Sequence, residues 1–281
     1  MEKFDLHTHS NLSDGTLRPA ELVAEAKAAG ISLLALTDHD CTLGVREALE
    51  AGERLGVRVV PGLEMDTEFT EELHLLGLGI NPEHDGLAAF MAHNARRRLD
   101  RNEAILQKLE GMGIPVRPLV AQARGTVTRL DVALAMVRGG YAEHVAAAFE
   151  TYLGRGKPAY AESKRIQPED AIHLIHEAGG LAVLAHPCKL KADVHAMVDR
   201  LSKAGLDGIE ALYPTATPGQ RAAHISLARQ YGLLVTAGSD FHGTHRPNQL
   251  GAAWVDDPVL EGIYDTFVNR GLSAPGPLTY S

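Results

Sequence analysis

Short apolar runs rich in leucine, isoleucine and valine alternate with helical patterns through most of the chain. This alternation is typical of a parallel sheet built from βα units. Seven runs are candidate strands, namely Lys3–Leu6, Ile31–Leu36, Val57–Leu63, Leu73–Gly79, Leu181–Ala185, Gly208–Leu212 and Leu233–Ala237. We therefore predict an α/β fold in which seven strands form a (β/α)7 barrel.

The alternation stops between about His84 and Tyr160, where helical segments follow one another without a strand. We predict a barrel domain of residues 1–83 and 166–281, interrupted by a helical insertion of residues 84–165 that acts as a substrate-binding cap. Arg98 and Asn102 fall on the apolar stripe of the first helix of the insertion. They therefore serve either an anionic ligand or a buried structural hydrogen-bond network.

Charge and composition restrict the function. The net charge of −9, from 27 Lys and Arg against 36 Asp and Glu, disfavours binding of long duplex DNA but not of a small anion. No apolar run approaches the ~20 residues that span a bilayer. The 2 cysteines form no disulfide framework, and the first residues lack the features of a secretion signal. We expect a cytoplasmic protein without a membrane or duplex-DNA partner.

Two pairs of ligand-type side chains follow the first and last candidate strands. His7 and His9 form the first pair, and Asp240 and His242 form the last. Side chains at i and i+2 of a strand point to the same face, so each pair can present its two donors side by side. Such donors suit a metal ion, although a single His-x-His motif is weak support.

Further donors lie at the strands between these two pairs, namely His39, Glu64, His74 and His186. In a parallel βα barrel the carboxyl ends of the strands converge on one face, where active sites are built. We therefore predict that donors from six strand ends meet in one metal site. Asp14, in the loop after the first strand, either bends back over this site or is a turn residue before Gly15.

These residues, in this order, resemble the PHP domain family of metal-dependent phosphoesterases. The matching motifs are His7-x-His9, Ser13-Asp14-Gly15, Thr37-Asp38-His39-Asp40, Glu64, His74, His186-Pro187 and Asp240-x-His242. The resemblance implies a distorted seven-stranded barrel that binds three divalent metal ions. It also implies hydrolysis of a phosphate ester by metal-activated water at His7, His9, Glu64 and Asp240.

The resemblance assigns each donor to a metal. His7, His9, Glu64 and Asp240 would surround the first ion; Glu64, His74 and His186 would hold the second; and Asp14, His39 and His242 would hold the third. Many family members have a histidine where this chain has Asp14. Six imidazoles and three carboxylates without a thiolate suit Mn²⁺, Fe²⁺ or Zn²⁺ better than they suit a closed structural zinc site, and we expect Mn²⁺.

Two segments of the insertion resemble the branch of the family that hydrolyses nucleoside 3′,5′-bisphosphates and trims short RNA from its 5′ end. They are Thr128–Ala133 and Gly154–Tyr160. That branch usually reads Arg-Pro-His where this chain has Arg129-Leu130-Asp131. We expect Arg98, Asn102, Arg129 and Lys157 to bind the substrate, because guanidinium and ammonium groups can hold a second phosphate.

The predicted function is removal of the 3′-phosphate from a nucleoside 3′,5′-bisphosphate. The nearest alternative is a 5′-3′ exoribonuclease acting on short RNA, followed by a histidinol-phosphate-type phosphatase. Alternatives from other classes are a metal-dependent amidohydrolase and a non-catalytic PHP module. No general acid is identified, and His245 is either a candidate for that role or a surface loop residue.

Overall fold

The computed structural model describes residues 2–120, 127–245, 247–255, 258–269 and 272. These residues form two compact units, one within Met1–Ala88 and Arg165–Ser281 and the other within Ala89–Lys164. We call the first the barrel unit and the second the helical unit.

A sheet of seven strands forms the centre of the barrel unit, and its strands lie in the order in which they occur in the chain. They are β1 Phe4–Asp5, β2 Leu33–Leu36, β3 Arg58–Thr67, β4 Leu73–Leu78, β5 Leu181–Leu184, β6 Gly208–Leu212 and β7 Leu234–Ala237. The Leu6 amide donates a hydrogen bond to the Ala237 carbonyl at 3.1 Å, which links the two ends of the sheet. The sheet is therefore a nearly closed seven-stranded barrel, as the sequence pattern predicts.

The direction of β4 corrects the prediction of an all-parallel barrel. β4 is antiparallel to both β3 and β5, whereas the other neighbouring strands are parallel. The physical reason is the short connection between Thr67 and Leu73, which suffices for a hairpin but not for the crossover of a dozen or more residues that a parallel pair requires. The amino end of β4 therefore lies beside the carboxyl ends of its neighbours.

The helices are α1 Pro19–Ala28, α2 Val45–Leu55, α3 Asp85–Gly111, α4 Arg117–Val120, α5 Arg129–Arg138, α6 Val145–Ala148, α7 Pro168–Glu177, α8 Val194–Lys203, α9 Pro218–Tyr231 and α10 Ile263–Asn269. Proline occupies the first position of α1, α7 and α9. A backbone N–H at that position would have no acceptor within the helix, so its absence in proline costs no hydrogen bond. Among the described residues, no helix is long and apolar enough to span a membrane.

The helical unit has an apolar core of its own. Ile105 and Leu109 of α3 are fully buried in one cluster with Val132 and Met136 of α5. Helix α5 begins with a capping box in which Thr128 and Asp131 satisfy each other's backbone amides. Asp131 therefore has a structural role at a position where the family branch that the insertion resembles usually has a histidine.

Gly238, directly after β7, occupies a position that has no room for a side chain. A Cβ atom there would overlap Oε1 of Glu210 and Cβ of His7. Both of these residues are buried, so neither can move into solvent.

We expect Gly238→Ala to lower the free energy of unfolding by about 2 kcal/mol, because overpacking a dense interior strains its neighbours. Urea denaturation followed by circular dichroism measures the change. Gly219→Ala is the matched control, since a Cβ at that position in α9 meets no atom within 4 Å. Equal stabilities of the two variants would contradict the steric argument.

Candidate metal centre

The segment after β1 brings two imidazoles into the barrel. His7 and His9 are both fully buried, and their ring centroids lie 5.2 Å apart. Thr8, between them, points the other way and donates a hydrogen bond from Oγ1 to the Ala35 carbonyl at 2.6 Å. The alternation of an extended chain therefore places both histidines on the same face, as the His-x-His spacing predicts.

Glu64 lies at the centre of a group of five imidazoles. Its Oε1 atom lies 2.8 Å from His74 Nδ1 and 3.0 Å from His186 Nε2. Its Oε2 atom lies 3.2 Å from a ring nitrogen of each of three further histidines, namely His7, His9 and His39. Glu64 is a residue of β3 rather than the residue after it, because β3 extends to Thr67.

Two more carboxylates complete the cluster. Asp240 Oδ1 lies 3.3 Å from His9 Nε2 and 3.6 Å from His7 Nε2. Asp14 Oδ1 lies 3.0 Å from His242 Nε2, so the loop after β1 bends back over the site. The donor atoms form three overlapping groups, and the atoms within each group lie within 4.8 Å of one another. The groups are His7, His9, Glu64 and Asp240; His39, Glu64 and His74; and His9, Asp14, His39 and His242.

His74 reaches the cluster by a different route from the one predicted. It is the second residue of the antiparallel strand β4 and pairs with Asp66 of β3. It therefore lies at the amino end of its strand, not at a carboxyl end. The antiparallel direction of β4 places that amino end at the same edge of the barrel as the carboxyl ends that supply the other donors.

Left-handed backbone conformations accompany the donors. His186 and Asp240 have φ angles of 30° and 53°, a region that residues other than glycine occupy at a cost of about 1–3 kcal/mol each. The His186 amide donates to Glu210 Oε2 at 2.6 Å, and the Asp240 amide donates to the His7 carbonyl at 2.9 Å. Hydrogen bonds to β6 and to the segment after β1 thus hold both strained residues in place.

The carboxylates of the cluster require positive charge beside them. Burial raises the pKa of Glu64, but the charges of the surrounding imidazoles outweigh it and hold the pKa well below its usual value. Burial lowers the pKa of His9, but the carboxylates of Asp240 and Glu64 beside its ring outweigh it and raise the pKa to about 9. Burial dominates at His39 and lowers its pKa to about 3. Either protons on imidazoles or bound cations can supply this positive charge.

The donor set fits divalent metal ions. Buried atoms His7 Nε2, His9 Nε2, Glu64 Oε2 and His242 Nε2 have no well-directed hydrogen bond among the described residues. Buried polar atoms normally have partners, so a whole group without them is typical of a ligand site. The donors are nitrogen and oxygen atoms without a thiolate, which suits Mn²⁺, Fe²⁺ or Zn²⁺.

A second layer of residues holds the donors, and the sequence analysis did not identify it. Glu210 Oε1 lies 3.0 Å from His7 Nδ1. Lys189 Nζ and the Tyr213 hydroxyl both donate to Asp240 Oδ2, at 2.9 and 2.7 Å. Glu210 had a signal in the sequence, since it is an acidic residue inside an otherwise apolar strand, Gly208–Leu212.

The four predicted substrate-binding residues all lie in the helical unit. Asn102 is buried and donates to the Val127 carbonyl at 2.7 Å, which agrees with a role in a buried structural hydrogen-bond network. The Arg129 guanidinium lies 5.9 Å from the centre of the Phe149 ring. Arg98 is partly exposed, and Lys157 is exposed in a turn after Gly154. His245 belongs to a 3-10 helix, Gly243–His245, and its side chain lies outside the described part of the chain.

Comparisons with known proteins agree with this geometry. Residues 5–111 match the PHP domain family. The chain is 36% identical over 270 residues to the 5′-3′ exoribonuclease Rnm of Escherichia coli, with 93% of this chain and 92% of the relative aligned. It is 34% identical over 251 residues to the 3′,5′-nucleoside bisphosphate phosphatase of Chromobacterium violaceum, with 86% and 88% aligned.

A solved structure has the same fold. It is an amidohydrolase from Chromobacterium violaceum with bound sulfate and no metal, which matches with a TM-score of 0.84 and 30% identity. The match covers 99% of this chain and 100% of that one. The donor cluster, the barrel and these full-length similarities lead to one conclusion: the chain belongs to the PHP domain family of metal-dependent phosphoesterases.

Proposed function

We propose that the protein removes the 3′-phosphate from nucleoside 3′,5′-bisphosphates, such as adenosine 3′,5′-bisphosphate, and leaves a nucleoside 5′-phosphate. The observation that carries this proposal is the cluster around Glu64, in which one carboxylate contacts five imidazoles. The relative named 3′,5′-nucleoside bisphosphate phosphatase supports the choice of substrate.

Three divalent ions, Mn²⁺ first among them, are the proposed cofactors. His7, His9, Glu64 and Asp240 would hold the first; Glu64, His74 and His186 the second; and Asp14, His39 and His242 the third. Ions bound there would supply a water molecule of lowered pKa and would stabilise negative charge on phosphate oxygens. Their +6 charge would exceed the −3 of the three ligand carboxylates, and the loaded site would therefore attract a phosphate that comes close to it.

Glu210 orients two of the donor histidines. Its Oε2 atom accepts the His186 amide, and its Oε1 atom accepts from Nδ1 of His7. A hydrogen on Nδ1 leaves the lone pair of His7 on Nε2, which faces Glu64 and Asp240. Partners of this kind fix the tautomer and the ring orientation of metal-binding histidines.

Lys189 and Tyr213 orient Asp240 in a similar way. Both donate to Oδ2, and this leaves Oδ1 directed at His9 and His7. Because Lys189 lies 4.6 Å from the centre of the Tyr213 ring, the two donors also stabilise each other. The carboxylate thus presents a single oxygen to the cluster.

The second phosphate of the substrate requires cationic donors. We assign this role to Arg98, Arg129 and Lys157, and we include Asn102, which lies four residues after Arg98 on α3. Hydrogen bonds to charged groups contribute more than neutral ones, and a guanidinium can hold a phosphate through two of them. On this proposal the helical unit acts as the substrate-binding cap.

The leading alternative is a 5′-3′ exoribonuclease acting on short RNA, and relatives with that name support it. Both reactions break a 3′-phosphate ester beside a 5′-phosphate, so one site can serve both. Histidinol phosphate is a weaker candidate because the helical unit resembles the nucleotide branch. A C–N bond hydrolase and a non-catalytic module are the candidates from other classes.

A substrate panel tests the proposal. Phosphate release by the Mn²⁺-loaded protein is measured with adenosine 3′,5′-bisphosphate, 3′-AMP, 5′-AMP, a 5′-phosphorylated RNA and histidinol phosphate. We expect kcat/KM to be highest for the bisphosphate, with 5′-AMP as the product. Activity on RNA only, with release of mononucleotides, would make the protein an exonuclease. Inactivity on every ester would favour a C–N bond hydrolase or a non-catalytic module.

The second-phosphate sites are tested by Arg129→Ala and Lys157→Ala. We expect each to reduce kcat/KM for the bisphosphate by roughly ten-fold or more, since a charged hydrogen bond contributes about 1.5–3 kcal/mol. Turnover of a simple monophosphate ester should change little. Arg138→Ala, on the same helix as Arg129, is the control because its guanidinium donates to the Leu119 carbonyl. Equal losses on both substrates would contradict the assignment.

The role of Glu210 is tested by metal binding rather than by turnover. We expect Glu210→Gln to weaken Mn²⁺ affinity by about 10–100-fold, because an amide holds the two histidines less firmly than a carboxylate does. Isothermal titration of the metal-free protein measures the affinity. Glu25→Gln, an exposed position on α1, removes the same charge and should have no effect. Unchanged affinity in Glu210→Gln would refute the role.

A further inference from the structure

Asp14 is the most exposed of the nine candidate donors. Its side chain is 33% exposed, compared with 22% for His39, and the side chains of the other seven are more buried still. It also lies in a turn, which comprises residues 11–14. Exposed turns have few packing contacts of their own. The position of Asp14 over the site therefore depends on the residues that hold this turn.

The side chain of Asp38 holds the beginning of the turn. Asp38 is 1% exposed, and its Oδ1 atom accepts hydrogen bonds from the Ser10 amide and the Ser13 hydroxyl, both at 2.7 Å. Its Oδ2 atom accepts a third hydrogen bond, from the Ser10 hydroxyl at 2.6 Å. Hydrogen bonds to a carboxylate are stronger than those between neutral groups. One buried side chain therefore anchors the residues on either side of the turn's first half.

Backbone contacts hold the rest of the turn against the donors. The Ser10 carbonyl accepts hydrogen bonds from the amides of Ser13 and Gly15, at 3.2 and 2.9 Å. A Cβ atom at Gly15 would lie 2.5 Å from the His9 carbonyl oxygen, so the turn packs directly on that segment. The Thr16 amide donates to the His242 carbonyl at 3.0 Å. The turn is thus fixed on both sides of Asp14.

These anchors determine where the Asp14 carboxylate lies. Its Oδ1 atom is 3.0 Å from His242 Nε2 and 3.8 Å from His39 Nε2. The Ser13 hydroxyl is 3.5 Å from this oxygen but only 2.7 Å from Asp38. Ser13 therefore acts mainly on the shape of the turn, through Asp38, and the turn in turn directs Asp14 towards the two histidines.

The donors proposed for the other two ions are held by different residues. Glu210 orients two of their histidines, and Lys189 and Tyr213 orient their aspartate. Asp38 contacts Glu64 through the backbone, since the Glu64 amide donates to the Asp38 carbonyl at 3.1 Å. A change confined to the Asp38 side chain keeps this carbonyl. The Asp38 carboxylate therefore acts on the Asp14 turn rather than on the centre of the cluster.

We propose that Asp38 is a positioning residue for the third ion. Through Ser10 and Ser13, its carboxylate fixes Asp14 beside His242, and the affinity of the third site depends on this contact. The two sites around Glu64 do not depend on it. The proposal rests on the proposed function, in which three ions are bound, and it identifies the residues that control the occupancy of one of them.

Titration of the metal-free, full-length protein with Mn²⁺ in a calorimeter tests the proposal without a substrate. Asp14→Ala identifies the binding step of the third ion, because it removes a donor proposed for that site alone. We expect Ser13→Ala to weaken this step by about ten-fold and to leave the other two steps unchanged. Asp38→Asn should weaken it further, since it disturbs Ser10 as well as Ser13.

Matched variants separate positioning from a general loss of structure. Ser13→Thr retains the hydroxyl and should keep the affinity of the third site. Ser32→Ala is the control, because it also removes one hydroxyl hydrogen bond, to the Lys3 carbonyl at 2.9 Å, and should leave all three steps unchanged. Circular dichroism verifies that each variant is folded, and Ser13→Ala carries the test if Asp38→Asn does not fold.

A double variant shows whether the effect passes through Asp14. In the Asp14→Ala background, Ser13→Ala should change none of the binding steps that remain, because the side chain it positions is gone. A further loss in that background would overturn the proposal. So would an unchanged third step in Ser13→Ala, an equal weakening of all three steps, or a wild-type protein that binds fewer than three ions.

The metal titration and the phosphate-release assay fail independently. If the wild-type protein hydrolyses adenosine 3′,5′-bisphosphate but Ser13→Ala binds the third ion normally, the positioning role is wrong and the proposed function stands. If the wild-type protein releases phosphate from no ester but Ser13→Ala selectively loses affinity for the third ion, the positioning role stands and the proposed function is wrong.

Discussion

The structure of the barrel unit depends on keeping Glu64 ionised in a buried position among five imidazoles. A buried carboxylate is stable only when positive charge and directed donors surround it. Side chains at the ends of the strands supply the positive charge and the donors. The backbone at the same edge of the barrel has the unusual conformations that position these side chains. His186 and Asp240 have left-handed conformations, and Gly238 lacks the side chain that would displace Glu210 and His7. Local strain at this edge is thus tied to the geometry of the donors.

The sequence was sufficient to locate the strands and to single out the side chains that the structure brings together around Glu64, because both follow from local pattern. Apolar runs mark the strands, and the i, i+2 spacing of His7 and His9 determines which face they share. The direction of β4 was predicted wrongly, because the alternation of strands with helices was taken to make every strand parallel to its neighbours. The actual strand runs to Thr67, and the remaining loop permits only a hairpin. His74 nevertheless lies at the site, because it is near the amino end of β4 and the antiparallel direction places that end beside the carboxyl ends of the neighbouring strands.

The second layer of residues, which holds the donors, could not be predicted from local sequence pattern. Glu210 and His7 are 203 positions apart, and their hydrogen bond depends on how β6, β7 and the chain after β1 are arranged around the barrel. The same is true of Lys189 and Asp240, which are 51 positions apart. An acidic residue in an apolar strand indicates a buried partner, but it does not identify which one. Donor residues can therefore be predicted from spacing, whereas the residues that orient them require the fold.

The opposite charges of the two units bear on how an acidic protein can act on phosphate. A barrel unit of net charge −14 repels a nucleotide dianion at long range, and bound divalent ions reverse this only close to the donors. Because buried charges are screened less than exposed ones, ions held by the donors would act on phosphate mainly at short range. Residues 89–164, which form the helical unit, contain 12 Lys and Arg against 7 Asp and Glu, a net charge of +5, and the remaining residues therefore have a net charge of −14. On the proposed function, this positive charge would attract a phosphate at long range. On the proposed function, the chain therefore separates the two tasks, with chemistry assigned to buried donors and capture assigned to exposed cations.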